Sequence, residues 1–208
     1  MEKALIIRSI IVSLACLVFP AMCFGSDDYA AWAIRSKSGS WTKLTESAVR
    51  KTNLPIAKPH DASRFCPLYK KLGRPDRVKF WVALLSAVAG AESSFEPKAT
   101  SRRVFSPFRM TPAISRGLLQ LDKESAGHKK YKCFIASDIA LYDPVTNLTC
   151  GVKILAIWVD TDNAIATYKN DRRPQGGGKY WGTLRQSNHS FRNISSYTRD
   201  LQFCRNQG

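Results

Sequence analysis

The feature that most constrains the fold is an apolar segment that ends in an acidic residue, Glu92. Apolar residues recur there at steps of three and four, which predicts a helix with one buried stripe formed by Trp81, Leu84, Leu85, Val88 and Glu92. A buried glutamate needs a partner or must stay neutral, because an ionised carboxylate is costly to remove from water. A carboxylic acid kept protonated can protonate a leaving group in an enzyme. The plainer alternative is a glutamate that emerges from the core as the helix ends.

Local signals predict the boundaries of this and other helices. Asp76, directly after Pro75, is the expected cap of the first long helix, and Gly90 is expected to loosen its last turn. A short helix is expected around residues 45–50. Another is expected to begin near residues 117–120 (GLLQ).

A second long helix is predicted to open at Asp143, with Asp143 as cap and Pro144 in the first turn. Its apolar stripe is formed by Leu148, Val152, Leu155 and Val159. A last helix is expected over residues 194–203. Residues 96–112 are basic and are expected to be irregular. Strong period-two alternation is absent, so the sequence predicts a mainly α single domain, with a small β-hairpin, if any, between Val159 and Gly176.

The first 25 residues have the pattern of a signal peptide. Lys3 and Arg8 lie beside an apolar run that is interrupted by Pro20 and is too short for a membrane span. Gly25 allows cleavage before residue 26; a lipoprotein start at Cys23 is the weaker alternative. We therefore expect an exported protein, periplasmic or secreted, with a lead-in segment at residues 26–75 and the folded domain at 76–208. No later segment predicts stable membrane insertion, and a monomer is expected.

Four cysteines remain after the predicted signal peptide, and an even number in an exported protein indicates two disulfides. The sequence permits three pairings; we expect Cys133 with Cys150, which closes a short loop, and Cys66 with Cys204, which ties the domain to its tail. There is no Cys-x-x-Cys motif, and His60, His128 and His189 are far apart in the sequence, so no metal or other cofactor is predicted.

The chain carries a formal net charge of +16, which favours polyanionic partners. Nucleic acid is one such partner, but export from the cytosol argues against it. A cell wall is another, because its peptide stems or attached polymers carry carboxylates or phosphates. Charge alone does not choose between them, and it says nothing about chemistry.

Three motifs occur in order: residues 91–97 (AESSFEP), 117–120 (GLLQ) and 143–151 (DPVTNLTCG). This set resembles the lysozyme-like superfamily, in particular the soluble lytic transglycosylases and the goose-type lysozymes, over residues 78–185. The resemblance implies a lysozyme-like catalytic domain at residues 76–208 that cleaves peptidoglycan glycan strands. It also implies that Glu92 is the general acid at the bond between N-acetylmuramic acid and N-acetylglucosamine.

The resemblance assigns further residues to the site. Gln120 is expected to line the groove beside the acid, and Gly117 to let the backbone pass close to the sugar. Asp143 and Asn147 are expected to support the fold beneath the site.

The chain departs from the transglycosylases in lacking an intact Ala-Tyr-Asn motif. Tyr168 and Tyr180 can stand in for its tyrosine, and glycines before Tyr180 favour that residue. The goose-type lysozymes resemble this chain in the aspartate that follows the glutamine, here Asp122. The overall motif set favours a lytic transglycosylase; the alternatives are a hydrolase in which Asp122 positions water and an idle wall-binding protein.

Overall fold

The computed structural model describes residues 29–34, 38–103 and 113–205. Within them the chain is mainly helical, in agreement with the sequence prediction. The α-helices are α1 (Ser38–Arg50), α2 (Ala62–Phe65), α3 (Arg74–Ser93), α4 (Lys123–Ala126), α5 (Pro144–Asp162) and α6 (Ser190–Arg199). Short 3-10 helices lie at Ala31–Ile34, Leu54–Ile56, Tyr69–Lys71, Lys129–Tyr131, Asp138–Tyr142, Gly176–Lys179, Gly182–Leu184 and Gln202–Cys204.

Helix α3 is the centre of the core. Every residue from Val78 to Ala89 except Lys79 is buried, so the helix is enclosed on all sides rather than along a single stripe. The predicted cap at Asp76 is wrong: Gly73 holds the N-cap position and Asp76 lies in the first turn. Asp76 there still stabilises the helix, because a carboxylate in the first turn interacts favourably with the helix dipole.

Helix α5 confirms its prediction. The side chain of Asp143 accepts hydrogen bonds from the backbone N–H groups of Val145 and Thr146, and Pro144 lies in the first turn. All four residues of the predicted apolar stripe are buried. The cap fixes the point at which the chain enters the core beneath the groove described below.

The one sheet among the described residues has two antiparallel strands, β1 (Thr100–Arg103) and β2 (Ala113–Arg116). Thr100 pairs with Arg116, and Arg103 pairs with Ala113. The expected hairpin between Val159 and Gly176 is therefore misplaced, and part of the segment expected to be irregular forms a strand. Residues 104–112 lie outside the described residues.

Three helix boundaries also differ from those expected. The turn at residues 117–120 is not helical, and the short helix that follows it begins at Lys123. Helix α1 starts earlier than the expected residue 45, and α6 ends earlier than the expected residue 203. The buried side chain of Asn147, described below, explains why this apolar motif is not helical.

Residues 29–75, where they are described, pack on the domain. Helix α1 contacts α3 and α5, and Trp41 and Val49 of α1 are buried. The buried indole N–H of Trp32 donates to Thr42 Oγ1 at 2.9 Å. The predicted signal peptide lies outside the described residues.

The two disulfides pair Cys66 with Cys204 and Cys133 with Cys150, as expected. The first joins residues 138 positions apart and ties the tail to the start of the domain. The second closes a loop of 17 positions between α4 and α5. Among the described residues, no helix has the length and apolar character needed to cross a membrane.

Candidate active site

The last turn of α3 presents Glu92 at the edge of the core. Glu92 is half-buried, and the hydroxyl of Thr183 donates a hydrogen bond to its Oε1 atom at 2.7 Å. Thr183 is itself buried, on the 3-10 helix Gly182–Leu184. A hydroxyl so placed restricts the rotamer of the carboxylate, so Thr183 is a positioning residue for Glu92. Sequence reasoning missed Thr183, because no motif distinguishes it.

The backbone turns sharply after Glu92. Ser94 and Phe95 both have left-handed backbone angles, with φ of 53° and 63°. The ring of Phe95 folds back against Gly90, where a Cβ atom would lie only 2.8 Å from Phe95 Cζ. Gly90 therefore provides room for Phe95, which in turn fixes where the helix stops. Two consecutive non-glycine residues in this region are unusual, and such strain is typical of functional sites.

The 117–120 turn lies against the end of α3 and is held by the buried side chain of Asn147. Asn147 Oδ1 accepts from the N–H of Leu119 at 2.8 Å, while Nδ2 donates to the carbonyls of Arg116 and Leu141. Gly117 has a φ of 76°, and a Cβ there would lie 2.4 Å from Asn147 Nδ2. The carbonyl oxygen of Leu141 would lie closer still, at 2.2 Å, so the close approach of both Leu141 and Asn147 requires this glycine.

Gln120 points into the site from the same turn. Its Nε2 atom donates to the carbonyls of Ala99 and Gly117 at 3.1 and 2.9 Å. These bonds fix the amide, and Oε1 has no hydrogen-bond partner within the part of the chain that the structure describes. A fixed acceptor of this kind suits a hydroxyl or amide N–H of a ligand.

Two further hydrogen bonds join this turn to its neighbours. The hydroxyl of Ser93, the residue after Glu92, lies 2.8 Å from the carbonyl oxygen of Leu118. The indole N–H of the buried Trp181 donates to the carbonyl of Leu119 at 2.9 Å. Glu92, the 117–120 turn and the 181–183 segment therefore form one connected unit.

A groove with a volume of about 720 Å³ runs beside this unit. Of the residues predicted for the site, Gln120, Asp122 and Tyr180 line the groove, whereas Glu92, Gly117 and Tyr168 do not. Its other walls come from β2, α4, the Lys129–Tyr131 turn and the segment after Gly178. They contribute Ala113, Ser115, Glu124, Ser125, His128, Lys130, Tyr131, Lys179, Trp181 and Arg185.

Asp122 precedes the four-residue helix α4. Its carboxylate accepts a hydrogen bond from the N–H of Ser125 at 3.0 Å, as an N-cap residue does. The side chain also lines the groove. This geometry allows Asp122 either to cap α4 or to contact a ligand in the groove.

Tyr168 lies in a different environment. Its hydroxyl donates to Asp61 Oδ2 at 3.1 Å, and its ring packs edge-on against Phe191 and under the guanidinium of Arg64. Burial, followed by the charge of Asp61, raises the pKa of Tyr168. We call Asp61, Arg64, Tyr168 and Phe191 the Asp61 cluster.

Within residues 29–34, 38–103 and 113–205, no three His, Cys, Asp or Glu side chains are grouped so as to hold a metal ion. The site instead presents the Gln120 amide, the Asp122 and Glu124 carboxylates and aromatic rings to a polar ligand, with the Glu92 carboxyl group in the adjoining connected unit.

The comparisons with known proteins agree with this geometry. The sequence profile of the transglycosylase SLT domain matches residues 74–175. Wild-type Bd0314 DslA, a solved structure, is 35% identical with a TM-score of 0.78, and the match covers 85% of this chain and 97% of that chain. The chain belongs to the transglycosylase SLT family. It is a peptidoglycan lytic transglycosylase with a lysozyme-like fold.

Two glutamate-to-glutamine mutants of the same DslA are also similar. One is 35% identical with a TM-score of 0.78, covering 85% of this chain and 97% of the other. The second is 34% identical with a TM-score of 0.79, covering 85% and 98%. No curated protein sequence matches the chain significantly.

Proposed function

We propose that this SLT-family enzyme uses Glu92 as its single acid and base at the β-1,4 bond between N-acetylmuramic acid and N-acetylglucosamine. The observation that carries the proposal is the hydrogen bond from Thr183 to Glu92 Oε1, at 2.7 Å. It holds a half-buried carboxyl group in one orientation at the end of the most buried helix. A general acid must be oriented in this way, because it can transfer its proton only when it lies within hydrogen-bond distance of the acceptor atom, whatever its pKa.

The proposed reaction needs one proton carrier and no water. Protonated Glu92 gives its proton to the glycosidic oxygen, and the bond from that oxygen to C1 of the muramic sugar breaks. The 6-hydroxyl of the same sugar then attacks C1, and its proton passes to the Glu92 carboxylate. The products are a free 4-hydroxyl on one strand and a 1,6-anhydro end on the other, and Glu92 is protonated again.

Gln120 and Tyr180 are proposed to bind the sugars. The Oε1 atom of Gln120 is buried and has no hydrogen-bond partner among the described residues, so it can accept from a sugar hydroxyl or the N–H of an acetamido group. Tyr180 lines the groove and packs against Trp181 and Tyr131, so its ring offers an edge or face to a sugar. Tyr168, whose hydroxyl donates to Asp61, supports the fold in this proposal.

The hydrolytic alternative gives Asp122 the task of positioning water. The family match favours transglycosylation over it. We propose that Asp122 acts as the cap of α4, since its carboxylate accepts from Ser125 N–H at 3.0 Å.

Export and action as a monomer are part of the proposal. The basic, apolar pattern of residues 1–25 and the two disulfides both suit a periplasmic or secreted enzyme. Peptidoglycan lies in those compartments, which places the enzyme beside its substrate.

Mass spectrometry of the fragments released from purified peptidoglycan tests the proposal. Transglycosylation predicts 1,6-anhydro ends, lighter by one water molecule than the reducing ends that hydrolysis gives. Reducing ends would move the assignment to a hydrolase. Binding to peptidoglycan without any released fragment would indicate an idle wall-binding protein.

A further inference from the structure

One wall of the groove is basic. Lys130, Lys179 and Arg185 line it, and we call these three residues the basic wall. The Nζ atoms of Lys130 and Lys179 lie over the same indole ring, that of Trp158, at 3.9 and 4.2 Å from its centroid. Arg185 Nε donates to the carbonyl of Gly178, next to Lys179, at 2.7 Å. The three cations thus form one continuous surface.

Only part of this charge is neutralised within the protein. Lys179 Nζ forms an ion pair with Asp162 Oδ1 at 2.8 Å. Lys130 and Arg185 have no carboxylate partner among residues 29–34, 38–103 and 113–205. Burial lowers the pKa of Lys130, and the neighbouring charge of Lys179 lowers it further. Both effects disfavour the charged ammonium, and an anion at this position would relieve them.

The shape of Lys130's surroundings makes it suited to a specific anion. The Trp158 indole N–H donates to Tyr131 Oη at 2.9 Å, which fixes the ring on which the ammonium lies. The backbone N–H of Lys130 donates to Nδ1 of His128, so the turn itself is also fixed. A cation held in this way loses less conformational entropy on binding than a lysine in free solution.

An anion that the groove binds during catalysis has to be a group on the substrate. Peptidoglycan sugars are neutral apart from the muramic acid, which carries carboxylates in one of two forms. Its lactyl group ends in a carboxylate where the peptide has been removed, and otherwise the attached peptide supplies carboxylates. Both sources present the same chemical group.

We infer that the basic wall, and Lys130 above all, binds a carboxylate carried by the muramic acid of the glycan strand. The inference deepens and rests on the proposed function, because it takes the groove to be the glycan site. The groove also contains Asp122 and Glu124, so its lining is not uniformly basic, and the inference assigns anion binding to the basic wall alone. Recognition is local to the wall, and the enzyme selects for the charge on its substrate.

The test uses three glycan oligomers of equal length. The first carries peptides, the second is stripped of peptide and has free lactyl carboxylates, and the third has those carboxylates amidated and is neutral. KM and kcat are measured at fixed ionic strength, and Kd is measured by calorimetry. Lys130→Gln is compared with Lys129→Gln, which removes the same charge from an exposed neighbour outside the groove lining. Lys130→Arg restores the charge.

Lys130→Gln is expected to raise KM and Kd about tenfold for a carboxylate-bearing oligomer, the size of one charge-assisted hydrogen bond, and to leave the neutral oligomer unchanged. Lys129→Gln should have no such effect, and Lys130→Arg should recover most of the loss. A loss for the first oligomer alone identifies the peptide as the source, and a loss for the second alone identifies the lactyl group. Equal behaviour of Lys130→Gln and Lys129→Gln on all three overturns the inference.

Failure of the proposed function looks different. The wild-type protein would then cleave none of the three oligomers or would release reducing ends instead of anhydro ends. The Kd values still decide the inference in that case, because charge-selective binding that depends on Lys130 supports it and uniform binding contradicts it.

Discussion

The groove and the Asp61 cluster are built from the same kinds of residue and differ in how their polar groups are used. At the Asp61 cluster the carboxylate accepts from the N–H groups of Ile165 and Ala166 and from the Tyr168 hydroxyl. In the groove, Gln120 keeps an acceptor that no described residue uses. A carboxyl with three protein donors supports the fold, whereas the unused acceptor of Gln120 is proposed to bind a ligand.

The two regions are nevertheless connected. Asp61 holds the backbone of residues 165–166, and the next residue, Thr167, bonds through its N–H to the carbonyl of Leu184 at 3.0 Å. Leu184 follows Thr183, whose hydroxyl positions Glu92. The satisfied cluster thus supports the segment from which the site's positioning hydroxyl projects, and changes in the two regions should separate stability from chemistry.

The largest expected effect is that of Glu92→Gln. The change preserves shape and removes the transferable proton, so we expect a loss of roughly 10³-fold or more in the rate of peptidoglycan cleavage. Thermal unfolding should be nearly unchanged, because the amide can still accept from Thr183. Muropeptide release at the wild-type rate would show that Glu92 is structural.

Asp61→Asn, in the Asp61 cluster, should lower stability and leave the reaction rate nearly unchanged. An amide cannot accept from all three donors, and each buried donor left without a partner costs about 1–3 kcal/mol of unfolding free energy. The rate per folded molecule should stay close to that of the wild type. Chemical denaturation together with the rate at low temperature measures both, and a large rate loss in fully folded protein would contradict the separation.

The same variant should also change the pH dependence of stability. Burial raises the pKa of Asp61 above its ordinary value of 3.8, despite the hydrogen bonds that lower it. Such a group contributes stability that is fully present below pH 3.8 and is lost as the pH rises through the raised value. The unfolding free energy of the wild type should therefore fall relative to that of Asp61→Asn over this window.

Thr183→Val should have an intermediate effect confined to the groove. The change keeps the shape of the side chain and removes the hydroxyl that holds Glu92 Oε1. We expect kcat to fall about tenfold with KM unchanged, since the lost interaction is worth about 1.5 kcal/mol and does not involve the substrate.

Thr183→Ser is the matched control and should restore most of the rate. A rise in KM with constant kcat in Thr183→Val would instead place Thr183 in contact with the sugar. A shared loss in both variants would point to packing rather than to the hydroxyl.

The sequence predicts the parts of the molecule that depend on local patterns. The cap at Asp143 and the apolar stripe of α5 follow from neighbouring residues, and both are confirmed. Glu92 is predicted as the acid because it interrupts an apolar period and lies in a family motif, and its catalytic role stays a prediction. The mainly helical fold follows from the same periodicity.

What the sequence does not predict depends on contacts between distant residues. The apolar residues of the 117–120 turn predict the start of a helix. The side chain of Asn147, buried in α5, instead accepts a hydrogen bond from the N–H of Leu119, so the turn is not helical. Thr183 has no local signature, and only the fold brings it to Glu92, 91 positions away. The location of β1 also depends on its pairing with β2 rather than on alternation within either strand.

Asp122→Asn is expected to have the smallest effect and decides between the two reaction types. Asparagine caps helices about as well as aspartate, so the bond from Ser125 N–H is kept and α4 should lose well under about 1 kcal/mol. If no water takes part, the rate should stay within about threefold of the wild type, and the products should keep their anhydro ends. If Asp122 activates water, removing its charge should lower the rate by about 10²–10⁴-fold.

Asp122→Ala refines the result, because it removes the cap as well: a stability loss of about 1 kcal/mol with retained activity assigns Asp122 to the helix. A dead Asp122→Asn enzyme, together with reducing ends from the wild type, would assign it to the reaction.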